Sequence, residues 1–321
     1  MEGAIIVQPE LVSQNGGTVE LQFLWVELTN QCNLKRSHCY AESGPNTSVR
    51  NALSSAQYRQ LIFDAYENGC RQIQFIGGEP TLNPDLPALI QLCSALGYSF
   101  IEVFTNLARL SDELVACFKQ NGVHVATSVY ASSAEIHDTI THLAGSFFHT
   151  VRNIRRLSEA KISIRAGIIE MVENAGQVES TTRFLNGLGV QKIGTDRVRH
   201  FGRGGTSGQG DMGELCGQCA DNILCVGSDG KVSPCIMSKL WSVGSLLDTS
   251  LSELMTSAKL MRIRGEIYRA TVQRRKDGDG SQENIHAICD PKTCGPYSTC
   301  TPTTGPGPCG PSGCTPCFPK G

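Results

Sequence analysis

The sequence predicts an α/β fold, a mainly parallel sheet with crossover helices, followed by a small cysteine-rich C-terminal domain. Two observations carry this prediction. From about residue 20 to 200, short β-branched or aromatic runs alternate with amphipathic stretches that end in glycine, the pattern of repeated βα units. Past Arg203 the alternation stops and cysteines take over: ten of the chain's 15 lie between Cys216 and Cys317.

The expected strands are Leu21–Leu28, Gln72–Ile76, Phe100–Thr105, His124–Tyr130, Ile162–Glu170 and Lys192–Arg197. Between them, Ser54–Asn68 has a serine N-cap, places Leu61, Ile62 and Ala65 on one face and closes at Gly69. Pro84–Leu96, Asp112–Gln120, Phe147–Ala160 and Val178–Leu188 follow the same logic. Six such units are too few for a full eight-stranded barrel, and a doubly wound open sheet gives the same alternation, so periodicity leaves both architectures open. In either, ligands gather at the carboxyl ends of the strands. The expected organisation is an N-terminal extension at 1–20, an α/β domain at 21–203 and a cysteine-rich domain at 204–321. The last begins with the glycine-rich Gly202–Gly210 and contains one further amphipathic helix, Ser250–Glu266. Its end, Asp290–Gly321, is too rich in proline and glycine to build an apolar core, so its fold would need metal–sulfur bonds.

The bulk numbers narrow the partners. With 40% hydrophobic residues in 321, the chain can bury one substantial core and still carry a smaller module. Basic and acidic residues nearly balance, 28 against 30, which gives no broad footprint for nucleic acid or an anionic membrane and leaves room for a neutral or peptide-like substrate. No secretion signal is read at the N-terminus, and no apolar run approaches the ~18 residues of a membrane span, so a cytoplasmic protein is expected. Clustered cysteines in such a chain favour metal or cluster binding over disulfides. Cys70, Cys93 and Cys117 stand apart in apolar patterns and read as small packing residues.

Just past the first strand the sequence runs Thr29-Asn30-Gln31-Cys32-Asn33-Leu34-Lys35-Arg36-Ser37-His38-Cys39-Tyr40, and Gly77-Gly78-Glu79-Pro80 ends the second. With a cysteine at 36 the first segment would be a C-x3-C-x2-C loop. The combination resembles the radical S-adenosylmethionine (SAM) enzymes. That resemblance implies a partial (β/α)6 TIM-like barrel, a [4Fe–4S] cluster on three thiolates with its fourth iron open to SAM, and one-electron cleavage of SAM to a hydrogen-abstracting 5'-deoxyadenosyl radical. It places Gly77, Gly78 and Glu79 against the SAM amino group and Tyr40 against adenine. Thr105, Asn106, Ser128, Tyr130, Arg165, Gly167 and Ile169 resemble the ribose, carboxylate and adenine contacts. Read as residues alone, the glycines would also suit an ordinary strand-to-helix turn, and Arg165 a structural ion pair. Asp196, Arg197 and Arg199 face substrate or orient the linker that follows. No side chain is expected to be catalytic in its own right.

Arg36 departs from this pattern. A guanidinium is cationic at physiological pH and has no lone pair for iron, so position 36 cannot be a ligand. Cys32 and Cys39 remain as metal ligands, alone in a labile cluster or with His38 as a substitute; otherwise the scaffold is silenced.

Cys216-x2-Cys219, Cys225 and Gly230-x4-Cys235, followed by Cys289, Cys294, Cys300, Cys309, Cys314 and Cys317, resemble the SPASM/Twitch auxiliary cluster domain. Asp229-Gly230 would turn a hairpin that brings thiols from both arms together. The resemblance implies one or two auxiliary [4Fe–4S] clusters, the first on Cys216, Cys219 and Cys235 with a fourth ligand from the later group. Cys225 is a ligand or a buried strand residue, and zinc is the alternative metal.

Proteins of this kind often modify ribosomally made peptides. The expected function is therefore reductive SAM cleavage for peptide modification, with a precursor peptide as substrate and a ferredoxin or flavodoxin as reductant. The 1–20 segment is too short for a leader-binding domain, so leader recognition is expected of a separate leader-peptide-binding protein or of the barrel itself. The second reading is a catalytically inactive scaffold that binds a peptide or partner; a third is a zinc-stabilised interaction module. Nucleic acid and membrane are not expected partners.

Overall fold

The structure is a computed structural model that describes residues 20–48, 53–205 and 210–273. Its first half alternates as the sequence predicts: β1 (Phe23–Glu27), α1 (Ser55–Glu67), β2 (Gln72–Ile76), α2 (Leu86–Leu96), β3 (Phe100–Phe104), α3 (Asp112–Gln120) and β4 (His124–Ser128). Then come α4 (Ala134–Thr141), α5 (Ser146–Glu159), β5 (Ile164–Glu170), α6 (Val178–Gly187) and β6 (Lys192–Arg197). Ser54 closes a capping box with Gln57 ahead of α1, Tyr58, Leu61, Ile62 and Ala65 form its buried face, and Gly69 leaves it at φ +93°.

The parallel strands stand in the order β6-β5-β4-β3-β2-β1. A doubly wound sheet reverses its order at a switch point; this one never does, so successive crossovers run the same way and the helices cover one face, as in a barrel wall. The fold is thus the α/β partial TIM-like barrel expected.

Beyond residue 210 the chain adds β7 (Ile223–Val226), β8 (Lys231–Ser233), β9 (Gly244–Ser245), α7 (Leu251–Met255) and α8 (Ala258–Tyr268). The hairpin predicted at Asp229-Gly230 forms, with Gly230 at φ +80° between antiparallel β7 and β8. Its first strand also pairs in parallel with β1, Trp25 opposite Cys225, so one nine-stranded sheet crosses the expected boundary at 203/204.

Two helical expectations change. The segment before α5 holds a further helix, α4, which buries His137, Ile140 and Thr141. Ser250–Glu266 is two helices: α7 stops at Thr256, and the Ser257 hydroxyl accepts from Leu260 N to start α8. Cys70, Cys93 and Cys117 are buried in the apolar core, as read from their surroundings. Cys289, Cys294, Cys300, Cys309, Cys314 and Cys317 lie outside the described residues, as does nearly all of 1–20. No helix among the described residues is long and apolar enough to cross a membrane.

Candidate functional site

The segment after β1 folds back over the sheet because the end of β2 lets it. Gly78 N donates to Thr29 O at 2.7 Å and Glu79 N to Gln31 O at 2.8 Å. A Cβ on Gly78 would run into the Gln31 carbonyl, and one on Gly77, at φ +133°, would meet Thr29 O at 2.5 Å. The glycine pair therefore seats the cysteine segment directly on the sheet. From the other side, Arg203 N donates to Cys39 O at 3.0 Å, its Nε to Arg36 O at 2.8 Å and its Nη2 to Ser43 O at 2.7 Å.

Over the carboxyl ends of the strands lies a cavity of about 110 Å³. Trp25, Gln74, Ile76, Phe104, Ser128 and Ile169 line it from the barrel interior, and Arg36, His38, Cys39 and Tyr40 from the cysteine segment. Gly77, Gly78 and Asn106 supply loop wall, Asp196 to Arg199 a second wall, and Ile236 and Met237 reach in from beyond the hairpin. Of the residues singled out in the sequence, the structure thus brings Tyr40, Gly77, Gly78, Asn106, Ser128, Ile169, Asp196, Arg197 and Arg199 to one cavity.

Three others stand behind its wall. Glu79 is 1% exposed and accepts from Thr105 Oγ1 (2.7 Å), Thr81 Oγ1 (2.7 Å), Thr81 N (3.2 Å) and Asn106 N (2.8 Å). Burial lifts its carboxyl above the usual range, and those four donors oppose the rise. Here Glu79 and Thr105 brace Asn106, whose Nδ2 in turn donates to Asn33 Oδ1 at 2.7 Å and lies 3.7 Å from Cys32 Sγ. Arg165 grips Glu102 with Nε at 2.7 Å and Nη2 at 2.8 Å, and Gln74 donates to the same carboxylate. Its fork is engaged by an internal carboxylate, the ion-pair alternative read from sequence.

Tyr40 stands at a junction between the two cysteine regions. Its hydroxyl donates to Glu27 Oε1 at 3.3 Å, and Lys239 Nζ sits 2.5 Å from Glu27 Oε2 and 5.5 Å from the Tyr40 ring. Sequence reasoning missed Glu27, Trp25, Lys239 and Met237. A carboxylate at the end of an otherwise apolar β1 was the available signal for Glu27; the others belong to no motif.

Cys32 and Cys39 are both buried, and between them in sequence is Arg36, whose Nη1 donates to Tyr130 Oη at 3.1 Å. Burial works against the Arg36 charge, but Tyr130, Cys39 and Cys32 more than compensate, holding it well above its ordinary range. Burial raises the Cys32 thiol, while Arg36 pulls it back. His38 falls to about 3, first through burial and then through the charges of Arg36 and Arg203, so it is a neutral imidazole with Nδ1 buried and unpartnered. A guanidinium on the wall beside two thiols is no third thiolate, so these residues do not fit a three-cysteine cluster.

In the second cysteine region Cys219 Sγ donates to Cys235 Sγ at 3.0 Å, and Cys216 hydrogen-bonds to Cys219. Against the burial that raises it, this bond draws the Cys235 thiol down toward its thiolate. Cys225 is a buried β7 residue; burial first, then Glu27, raises its thiol. Among the described residues no three His, Cys, Asp or Glu side chains stand at metal-holding geometry. The donor chemistry of Cys216, Cys219 and Cys235 nonetheless suits a thiolate-bound metal with a further ligand from elsewhere.

Residues 26–185 match the radical SAM superfamily, and residues 207–294 match the SPASM iron–sulfur cluster-binding domain. The chain carries a radical SAM domain followed by a SPASM domain. It is 29% identical over 182 residues to the antilisterial bacteriocin subtilosin biosynthesis protein AlbA of Bacillus subtilis, covering 56% of this chain and 40% of AlbA. It is 25% identical over 277 residues to the sporulation killing factor maturation protein SkfB of the same organism, covering 75% of this chain and 66% of SkfB. With the mycofactocin maturase MftC of Mycobacterium ulcerans it shares 28% identity over 200 residues, 61% of this chain and 53% of MftC. The radical SAM–SPASM chain thus spans about half the length of several curated relatives. In fold it is similar to Streptococcus suis SuiB bound to S-adenosylmethionine, with a TM-score of 0.65 and 15% identity over 78% of this chain and 68% of SuiB. It is also similar to anSMEcpe with bound AdoMet, with a TM-score of 0.64 and 16% identity over 79% of this chain and 86% of that one.

Proposed function

We propose that this chain is a SAM- and peptide-binding protein of the peptide-maturase kind in which Arg36 withholds the radical-initiating cluster. The observation that carries the reading is the Arg36 guanidinium on the cavity wall beside Cys32 and Cys39. The proposed occupant of the cavity is SAM, with Tyr40, Gly77, Gly78, Asn106, Ser128 and Ile169 around it. The precursor peptide enters past Asp196, Arg197 and Met237, and a separate leader-binding protein delivers it. The match to radical SAM and SPASM sequences and the similarity to a bacteriocin biosynthesis protein and a mycofactocin maturase support this reading.

A cysteine at position 36 would join Cys32 and Cys39 to hold a [4Fe–4S] cluster, which would supply one-electron cleavage of SAM fed by a ferredoxin or flavodoxin. The Arg36 guanidinium has no lone pair to offer that iron. At the other end, Cys216, Cys219 and Cys235 hold one auxiliary iron–sulfur cluster or a zinc ion, with a ligand from the cysteines after 273.

The test is iron, sulfide and zinc content of anaerobically purified native and Arg36→Cys protein, with reductive SAM cleavage assayed on both. The reading expects no cleavage by the native chain, and about one cluster's worth of extra iron with new cleavage in Arg36→Cys. Native protein that cleaves SAM would sink the withheld-cluster reading. Arg36→Cys that gains neither iron nor cleavage would sink the assignment of the loop.

A further inference from the structure

Arg36 is more than a lost ligand in this cavity. A partly buried cation is costly without an opposite charge. Among the described residues no carboxylate pairs with Arg36; its side-chain hydrogen bond goes from Nη1 to the Tyr130 hydroxyl. Arg36 is one of the residues that line the cavity.

The wider lining has the same sign. It holds three arginines, Arg36, Arg197 and Arg199, against one carboxylate, Asp196, a net of two positive charges. Asp196 is already taken by Arg199, at 2.9 Å. Arg203 adds a fourth guanidinium behind the cysteine segment, bound there to backbone carbonyls. The lining also holds large apolar side chains, Trp25, Phe104 and Met237. Such a site suits a ligand with one planar anionic end and an apolar or aromatic body, and a guanidinium fork matches a carboxylate through two parallel N–H bonds.

We propose that Arg36 makes the place beside Cys32 and Cys39 a carboxylate receptor, so that the cavity binds its ligand without iron. The carboxylate has two sources, the amino-acid end of SAM or a carboxylate of the peptide. The inference rests on the SAM- and peptide-binding reading above, and the experiment separates the two.

Full-length iron-free protein is titrated by calorimetry with SAM, S-adenosylhomocysteine, 5'-methylthioadenosine, which lacks the amino-acid end, and N-acetylphenylalanine with its amide. The native chain is compared with Arg36→Ala, Arg36→Gln and Arg36→Lys, each checked by circular dichroism and thermal melting. A charge-assisted bidentate contact predicts that the carboxylate probes weaken roughly 10- to 100-fold in Arg36→Ala and Arg36→Gln. Arg36→Lys should recover part of the loss. Binding of 5'-methylthioadenosine should be unchanged throughout.

Arg36-dependent binding of SAM and S-adenosylhomocysteine supports the receptor and names SAM as the source. Arg36-dependent binding of N-acetylphenylalanine but not its amide, with no nucleoside bound, supports the receptor with a peptide source and removes SAM from the cavity. Carboxylate probes that bind equally to native and Arg36→Ala protein, or not at all, overturn the receptor. In that case retained 5'-methylthioadenosine binding leaves the SAM reading standing, and its absence ends both.

Discussion

The two cysteine regions start from similar sequence and reach opposite chemistry. Beside β1, Cys32 and Cys39 flank a guanidinium and a neutral imidazole, and Asn106 Nδ2 approaches Cys32 at 3.7 Å. On either side of the β7–β8 hairpin, Cys216, Cys219 and Cys235 come together, with Cys219 donating to Cys235 at 3.0 Å. The regions differ in what stands among their thiols: a fixed cation near Cys32 and Cys39, and thiols hydrogen-bonded to one another at Cys216, Cys219 and Cys235.

The largest expected effect separates the regions directly. Cys219→Ala should remove most of the metal bound by the native protein, while Cys32→Ala should leave it unchanged, as read by metal analysis; equal losses from both would erase the contrast. Gly78→Ala drives a methyl group into the Gln31 carbonyl and should cost about 3 kcal/mol in denaturant unfolding. The same variant should leave metal content intact if the second region is independent of how the first is seated.

A pH titration of stability probes the packing under Arg36. His137 is 2% exposed, packs on Tyr130, and is pushed down to about 4, by burial first and despite Asp138. Its folded value lies below the unfolded 6.5, so the unfolded chain binds the extra proton. The neutral ring's contribution is complete above pH 6.5 and declines as pH falls from 6.5 toward 4, by about 3 kcal/mol at most. His137→Gln should flatten that limb of the unfolding curve, and an unchanged limb would place the titration elsewhere.

The smallest effect tests whether the regions communicate. Lys239→Met removes the ion pair to Glu27 but leaves that buried carboxylate its bond from Tyr40, so the cost should be about 1–2 kcal/mol. A double variant with Tyr40→Phe should then fall short of additivity, since both side chains act on one carboxylate.

Much of the barrel was legible because its strands are short apolar runs and its helices carry local stop signals, such as Ser54 with Gln57 before α1 and Gly97 after α2. Helix α4 was not. Its first turn lacks a side-chain cap, and it ends at His142, a residue in the left-handed region at φ +53° where glycine is the usual signal. The cavity was legible where a motif marked it, at Tyr40, Gly77 and Gly78. It was opaque where tertiary pairing decides. Glu79 turns to Thr105 and Asn106, 26 and 27 residues on, and Arg165 to Glu102, 63 residues back. Both residues carry the right charge for a ligand, and only the fold shows that each is satisfied from within.

The pairing of β7 with β1 bears on how this protein can be cut. Removing everything after residue 203 would strip a strand that covers residues 23–26 and leave β1 as an edge strand with bare amide and carbonyl groups on an apolar sheet. Such a fragment invites self-association, because the two sequence-defined parts share one sheet. Any trimmed version meant to isolate the barrel would have to keep the hairpin that seals it.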